Sequence, residues 1–161
     1  APAGLIIKNG YIIAQWGDVN RVDMTFSVTK CYLSTIAGLA WDTGLIKDLN
    51  DKVADYVWDG KFDGEHNSKI TWEHLLSQTS DWSGTLFGMY DWADQPPKDG
   101  NIDTLKNRTL FKPGTHFEYN DVRVNLLAYS LLQVFRTPLP MVLKEKIMDK
   151  IDASSTWRWY G

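Results

Sequence analysis

The chain has 161 residues, of which 43% are hydrophobic and 23% charged, and its formal net charge is −3. Such a length and balance predict one folded domain with a real core and exclude a disordered chain. They also exclude a basic nucleic-acid binder, and no apolar run approaches the roughly 20 residues needed to cross a bilayer.

Leu5-Ile6-Ile7-Lys8 and Tyr11-Ile12-Ile13-Ala14-Gln15-Trp16 are β-branched and aromatic runs on either side of Asn9-Gly10. Asn-Gly between two such runs predicts an antiparallel hairpin. Thr25 to Trp41 is apolar almost all round and ends near Gly44, which predicts a buried helix starting close to Ser27. Val53 to Val57 reads as a short helical piece, and the Gly-, Asp- and Asn-rich stretch from Asp59 to Ser68 as a loop. Thr71 is placed as the N-cap of a helix carrying Glu73, His74, Leu75 and Leu76. Residues 80–100 have no clear period and read as a long aromatic loop. Val122 to Phe135 predicts a largely buried helix, and Thr137-Pro138 opens another, with Thr as cap and Pro at its first position, running to about Lys150. Two strands do not make a sheet able to cover a buried helix. Either strands are missing or a partner supplies them.

Cys31 is the only cysteine, so no internal disulfide can form. Ala1-Pro2-Ala3-Gly4 has neither the basic nor the apolar region of a signal peptide. The compartment stays open between a bacterial periplasmic or secreted location and a cytoplasmic one.

The first chemical candidate is Ser27-Val28-Thr29-Lys30. Residues three apart on a helix share a face, so the Lys30 ammonium can sit beside the Ser27 hydroxyl. Serine attacks only when a base takes its proton. A neutral lysine can be that base, whereas a charged one stabilises the alkoxide and lowers the pKa of neighbouring acids. With nine serines and twelve lysines, chance alone gives about 0.7 such spacings. Spacing by itself therefore also fits a cap serine and a surface lysine. The apolar neighbours Leu33, Ile36 and Leu39 argue for more, because a lysine on a buried helix needs a reason. The histidines His66, His74 and His116 lack metal-ligand spacing, so neither a metal nor another cofactor is expected. Gly-x-Ser-x-Gly, the nucleophile turn of another hydrolase class, is absent.

The second candidate is Pro113-Gly114-Thr115-His116-Phe117-Glu118-Tyr119-Asn120-Asp121. A Pro-Gly-Thr turn, then Phe-x-Tyr, then a helix resembles the tyrosine motif of class C β-lactamases and their esterase relatives. These belong to the penicillin-recognising serine hydrolases, which also include D-alanyl-peptidases. Ser27-x-x-Lys30 resembles the nucleophile motif of that family. His74-Leu75-Leu76-Ser77-Gln78-Thr79-Ser80 resembles its His-Leu-Leu-x-x-Thr-Ser helix, and Leu143 to Ile151 resembles the segment after its tyrosine helix. The order fits from about Ala3 to Thr156. A class A enzyme would carry Ser-x-Asn, which is absent.

The resemblance implies an α+β fold of the β-lactamase/transpeptidase type. It would form a single incomplete domain over 1–161, with a sheet hairpin at 1–17 and a mostly helical catalytic part at 25–161. It implies a serine hydrolase that forms an acyl-serine intermediate on a small ester or amide. Ser27 is then the nucleophile, its own N–H an oxyanion donor, and Lys30 and Tyr119 manage the proton. Asp121 or Asn120 orients Lys30. The aromatic stretch itself offers two readings: Trp82 and Trp92, with Phe87 and Tyr90, wall an apolar acyl or alcohol pocket, or they simply pack their loop. Two departures stand out. The motif ends in Asp121 where the family has asparagine; an ionised aspartate only accepts hydrogen bonds, which favours esters or unusual amides over β-lactams, although Asp121 also suits a helix cap. The family's Lys/His-x-Gly strand motif is missing after Tyr119; Lys98-Asp99-Gly100 lies before it and is rejected. The family chain is roughly twice as long, so the chain reads as an internal fragment, completed by the rest of its own chain or a second subunit. The alternative is a non-catalytic fragment or binding module of the same fold.

Overall fold

The computed structural model describes residues 1–161 except Pro96, Asp99 and Gly161, so Asp99 of the rejected tripeptide lies outside the described residues. β1 (Gly4–Lys8) and β2 (Tyr11–Trp16) form an antiparallel hairpin. Asn9 and Gly10, with φ of 53° and 81°, make the left-handed turn that matches strand twist. Between Ile6 and Ile7 the register shifts, leaving Ile13 as an extra residue in β2. Apart from Gly4, every residue of both strands is exposed.

The predicted first helix begins as a 3-10 turn, Phe26–Val28, and continues as α1 (Thr29–Asp42). It is not buried all round. Leu33, Ile36, Ala37 and Ala40 form the buried stripe, while Cys31, Ser34, Thr35 and Trp41 are exposed. A 3.6-residue period buries one stripe against one partner, and the partners here are α5 (Asp121–Phe135) and α6 (Leu139–Leu143). The loop expected at 59–68 contains α2 (Gly64–Asn67), and α3 (Trp72–Leu76) is capped by Thr71 as predicted. His74 closes a reciprocal cap there: its N–H bonds the Thr71 hydroxyl and its Nδ1 accepts from the Thr71 N–H. The long aromatic segment holds a minimal hairpin, β3 (Thr85–Leu86) with β4 (Met89–Tyr90), and α4 (Ile102–Lys106) follows it. The last helix starts one residue later than expected: Pro138 is its cap and Pro140 stands inside its first turn, before a π-helical stretch, Lys144–Met148. This is an α+β arrangement whose regular structure is mostly helical.

The core runs through Ile36, Ile46, Val53, Phe62, Ile70, Trp72, Leu126 and Leu131, all essentially inaccessible. Each such side chain stabilises the fold by roughly 1.5–3 kcal/mol. Beside it lies a buried ionic network. Asp81 accepts from Arg108 Nη1 and Nη2 at 2.9 and 2.7 Å, from Arg123 Nη2 at 2.8 Å and from the Phe111 N–H at 2.6 Å. Arg123 also donates to the Trp82 carbonyl and to Glu118. The network fastens the chain after α3 to the start of α5. Among the described residues no single helix is long and apolar enough to cross a membrane.

Burial opposes ionisation of Asp81, but Arg108, the Phe111 N–H and Arg123 outweigh it and hold the carboxyl below the usual carboxylate range. Its stabilisation is thus complete above the unfolded pKa of about 3.9 and is lost as pH falls through the lower folded value. Asp81→Asn removes the buried anion that two guanidinium groups share, leaving Arg108 with Asp91 and Arg123 with Glu118, and is expected to cost about 3 kcal/mol. Urea unfolding at neutral pH checks the loss, and acid titration of the midpoint should show the wild-type decline missing from the variant.

Candidate active site

Ser27 stands in the 3-10 turn ahead of α1, and Phe26 before it is left-handed with φ 45°. The Phe26 side chain is exposed, so its own packing does not explain that conformation. A non-glycine residue there is strained by about 1–2 kcal/mol, and such strain persists where the surroundings over-determine it. One turn on, Lys30 Nζ returns to Ser27 Oγ at 3.2 Å. Tyr119 comes from the extended segment just before α5. Its Oη lies 2.6 Å from Ser27 Oγ and 2.8 Å from Lys30 Nζ. Asp121, the first residue of α5, accepts from Lys30 Nζ at 2.7 Å. The ammonium also sits 4.6 Å from the centre of the Tyr119 ring.

An ammonium has three donors, and here they meet Ser27, Tyr119 and Asp121. With Tyr119 ionised, the Ser27 hydroxyl would donate to Tyr119 Oη across the 2.6 Å contact. That oxygen then receives two donors, an arrangement suited to a phenolate. Burial works against the charged form of Lys30, but its bonds to Asp121 and Tyr119 outweigh this and push its pKa up. These contacts favour the ammonium form of Lys30. The Lys30 and Ser27 hydrogen bonds and the Lys30 charge draw the Tyr119 phenol down, against the smaller opposing effects of desolvation and of Asp121.

Of the other predicted residues, Phe87 lines the same cleft as Ser27, whereas Asn120, Trp82, Trp92 and Tyr90 do not. Asn120 is buried and caps α5: its Oδ1 accepts from the Arg123 N–H at 2.9 Å and its Nδ2 donates to the Asp91 carbonyl. It makes no contact with Lys30 of the kind Asp121 makes. Trp82 is buried with its indole N–H on the Lys61 carbonyl, and Trp92 stacks on Tyr90 at 5.0 Å. Neither lines the open cleft of about 910 Å³ that holds Ser27, Lys30 and Asp121; its aromatic walls are Phe26, Phe87, Tyr129, Trp159 and Tyr160. The histidines serve local structure: His66 meets the Asp81 carbonyl, His74 caps α3 and His116 stacks on Phe111.

The supporting charges Asp81, Asp91, Arg108 and Arg123 were not picked out from sequence. Arg123 did carry a signal, standing between Val122 and Val124 on an otherwise apolar helix. Nothing in spacing points to Gln78, Asp94 or Gln95, which hold the main chain around Tyr119.

A model of the beta-lactamase family matches residues 18–159. The chain belongs to the beta-lactamase family. Among solved structures, this beta-lactamase-family chain is similar to the beta-lactamase/D-alanine carboxypeptidase from Yersinia pestis in complex with citrate, with 26% identity and a TM-score of 0.53 over 78% of the chain. It shares the fold of EstCE1, a hydrolase with promiscuous acyltransferase activity, at 21% identity and TM-score 0.62 over 93% of the chain. It likewise shares the fold of a class C beta-lactamase from Rhodobacter sphaeroides, at 21% identity and TM-score 0.58 over 92%. It spans 37%, 46% and 43% of those three chains, less than half of each. No curated protein matches it.

The Lys30–Tyr119 coupling has a spectroscopic consequence. One tyrosine of the wild type should titrate below the ordinary phenol value of about 10. Tyr129, by its bond to Asp59, and Tyr56, by burial and Asp51, move upward instead. Phenolate difference absorbance should lose the early phase in Tyr119→Phe, and Lys30→Met should move it to higher pH. An early phase that survives Tyr119→Phe would show that another residue carries it.

Proposed function

We propose that this chain is the catalytic segment of a serine hydrolase that cleaves esters or amides through an acyl-serine intermediate. The observation that carries the reading is the triangle of Ser27 Oγ, Tyr119 Oη and Lys30 Nζ, with sides of 2.6, 2.8 and 3.2 Å. The Tyr119 phenolate takes the Ser27 proton as Oγ bonds to the substrate carbonyl carbon. The carbonyl oxygen becomes an oxyanion, held by the Ser27 N–H and a second donor from the completed fold. Its collapse breaks the bond to the leaving group, which takes the proton from Tyr119. Water then attacks the acyl-serine and loses a proton to Tyr119, and Ser27 recovers its hydrogen as the acid departs. Lys30 keeps its charge throughout and stabilises the phenolate and alkoxide.

Asp121 bears on the substrate class. A carboxylate held against Lys30 accepts hydrogen bonds and donates none, so it lacks the donor with which an amide at this position would hold an acyl side-chain carbonyl. This favours esters over β-lactams. The aromatic cleft walls suit an apolar acyl or alcohol group. The two exposed faces of the β1–β2 hairpin favour completion of the sheet by more chain or a second subunit. They equally suit a second reading, a segment that keeps the helices and no chemistry.

A serine-reactive phosphonate followed by intact-mass measurement separates the two. The first reading expects one adduct on Ser27, absent from Ser27→Ala; a chain of the expected mass with no adduct favours the second. The labelling rate should rise with pH through the depressed Tyr119 value and fall only above the raised Lys30 value. Asp121→Asn removes an anion that opposes the phenolate, so its rising limb should move to lower pH. The wild type is expected to turn over esters with little penicillin turnover, and Asp121→Asn to gain on penicillin. Fast wild-type penicillin turnover would overturn the ester assignment.

A further inference from the structure

Tyr119 has an exposed side chain, so packing of its ring does not fix where the phenol points. Its main chain is held instead. Gln78 bonds the residues on both sides of it: the Gln78 carbonyl accepts from the Glu118 N–H at 3.1 Å, and the Gln78 Oε1 accepts from the Asn120 N–H at 3.0 Å. From the opposite side Gln95 Nε2 donates to the Tyr119 carbonyl at 2.5 Å, and Asp94 accepts from the Asp121 N–H at 2.7 Å. Gln78 itself is left-handed, with φ 55°, a conformation that costs a non-glycine residue free energy unless its contacts require it. That twist lets one residue offer both a main-chain and a side-chain oxygen to the same strand-like segment.

We propose that Gln78 is a positioning residue for Tyr119, its side-chain amide oxygen fixing the phenol against Ser27 and Lys30. This rests on the acyl-transfer reading above. Gln78 touches none of the reacting atoms. It acts by fixing the peptide planes on either side of the tyrosine, and a displacement of the order of 1 Å in a reacting group can lower rates about a hundredfold.

The decisive variant is Gln78→Gly. Glycine accepts φ 55° without strain and retains the carbonyl that meets Glu118, so only the Oε1 bond is deleted. Gln78→Glu keeps an acceptor of the same reach and serves as the conservative rescue. In the 161-residue chain, Ser27 phosphonylation should slow about ten- to a hundredfold in Gln78→Gly, with the urea midpoint unchanged or raised. Gln78→Glu should recover most of the rate, with its rising limb moved to higher pH by the added anion. The Tyr119 phenolate transition, read against Tyr119→Phe, should rise toward the ordinary phenol value in Gln78→Gly, because the Lys30 contact loosens. This readout needs no turnover. An unlabelled wild type would therefore overturn the acyl-transfer reading, while an unmoved Tyr119 transition in Gln78→Gly would overturn the positioning role. Parallel loss of labelling and stability, without rescue by Gln78→Glu, would also overturn it in favour of a purely structural role.

Discussion

The buried pair of Arg123 and Asp81 joins two parts of the chain that are far apart in sequence. Arg123 projects from the first turn of α5, and Asp81 lies just beyond α3 with φ 43°. A buried ion pair is weak evidence for stability in itself, since desolvation offsets much of the attraction. Its value here is geometric. A guanidinium has five donors in a rigid fork, and Arg123 uses them on Asp81, Glu118 and the Trp82 carbonyl. That combination sets the angle at which the chain enters α5, and Tyr119 and Asp121 lie on that entry. Once the entry is fixed, the hydrogen bonds of Gln78, Asp94 and Gln95 have only to refine it.

The second constraint is electrostatic. Lys30 has the one charge that Ser27, Tyr119 and Asp121 share, and all its donors are used. The Lys30–Tyr119 bond favours the charged form of both partners, and Asp121 adds to the hold on the Lys30 proton. Asp121 works in two directions. It anchors the ammonium, and it slightly opposes the phenolate beside it. A neutral amide at this position would anchor less firmly and oppose the phenolate less.

The candidate site is legible partly from spacing and partly from resemblance. A spacing of three brings Ser27 and Lys30 onto one face, whereas Tyr119 and Asp121 are marked only by the resemblance of residues 113–121 to the family's tyrosine motif. Helix α3 was legible by a local rule, since Thr71 starts it with a side-chain cap. Other features were not. The aromatic stretch placed Trp82 and Trp92 at the pocket by composition alone, whereas burial drew Trp82 inward and stacking held Trp92 on Tyr90. Asn120 and Asp121 are both good caps, and only the three-dimensional direction of each side chain separates the cap from the lysine partner. The one-sided burial of α1 also escaped the sequence, because an apolar residue does not reveal whether its partner lies within the same chain.

The strained residues add a last line of argument. Outside glycine, left-handed φ values occur among the described residues at Asn9, Phe26, Gln78, Asp81, Phe87, Arg136 and Asp152. Asn9, Phe87 and Arg136 have local explanations, two hairpin turns and a helix end. Three of the others bear on the candidate site: Phe26 precedes Ser27, Gln78 holds the main chain around Tyr119 and Asp81 anchors Arg123. Each costs on the order of 1–3 kcal/mol, which a chain selected only for stability would shed through glycine. Their concentration is accounted for if the contacts that over-determine them are the contacts that place Ser27, Lys30 and Tyr119 within hydrogen-bond reach. The sum of small local costs is then set against one distant juxtaposition that no local preference would produce.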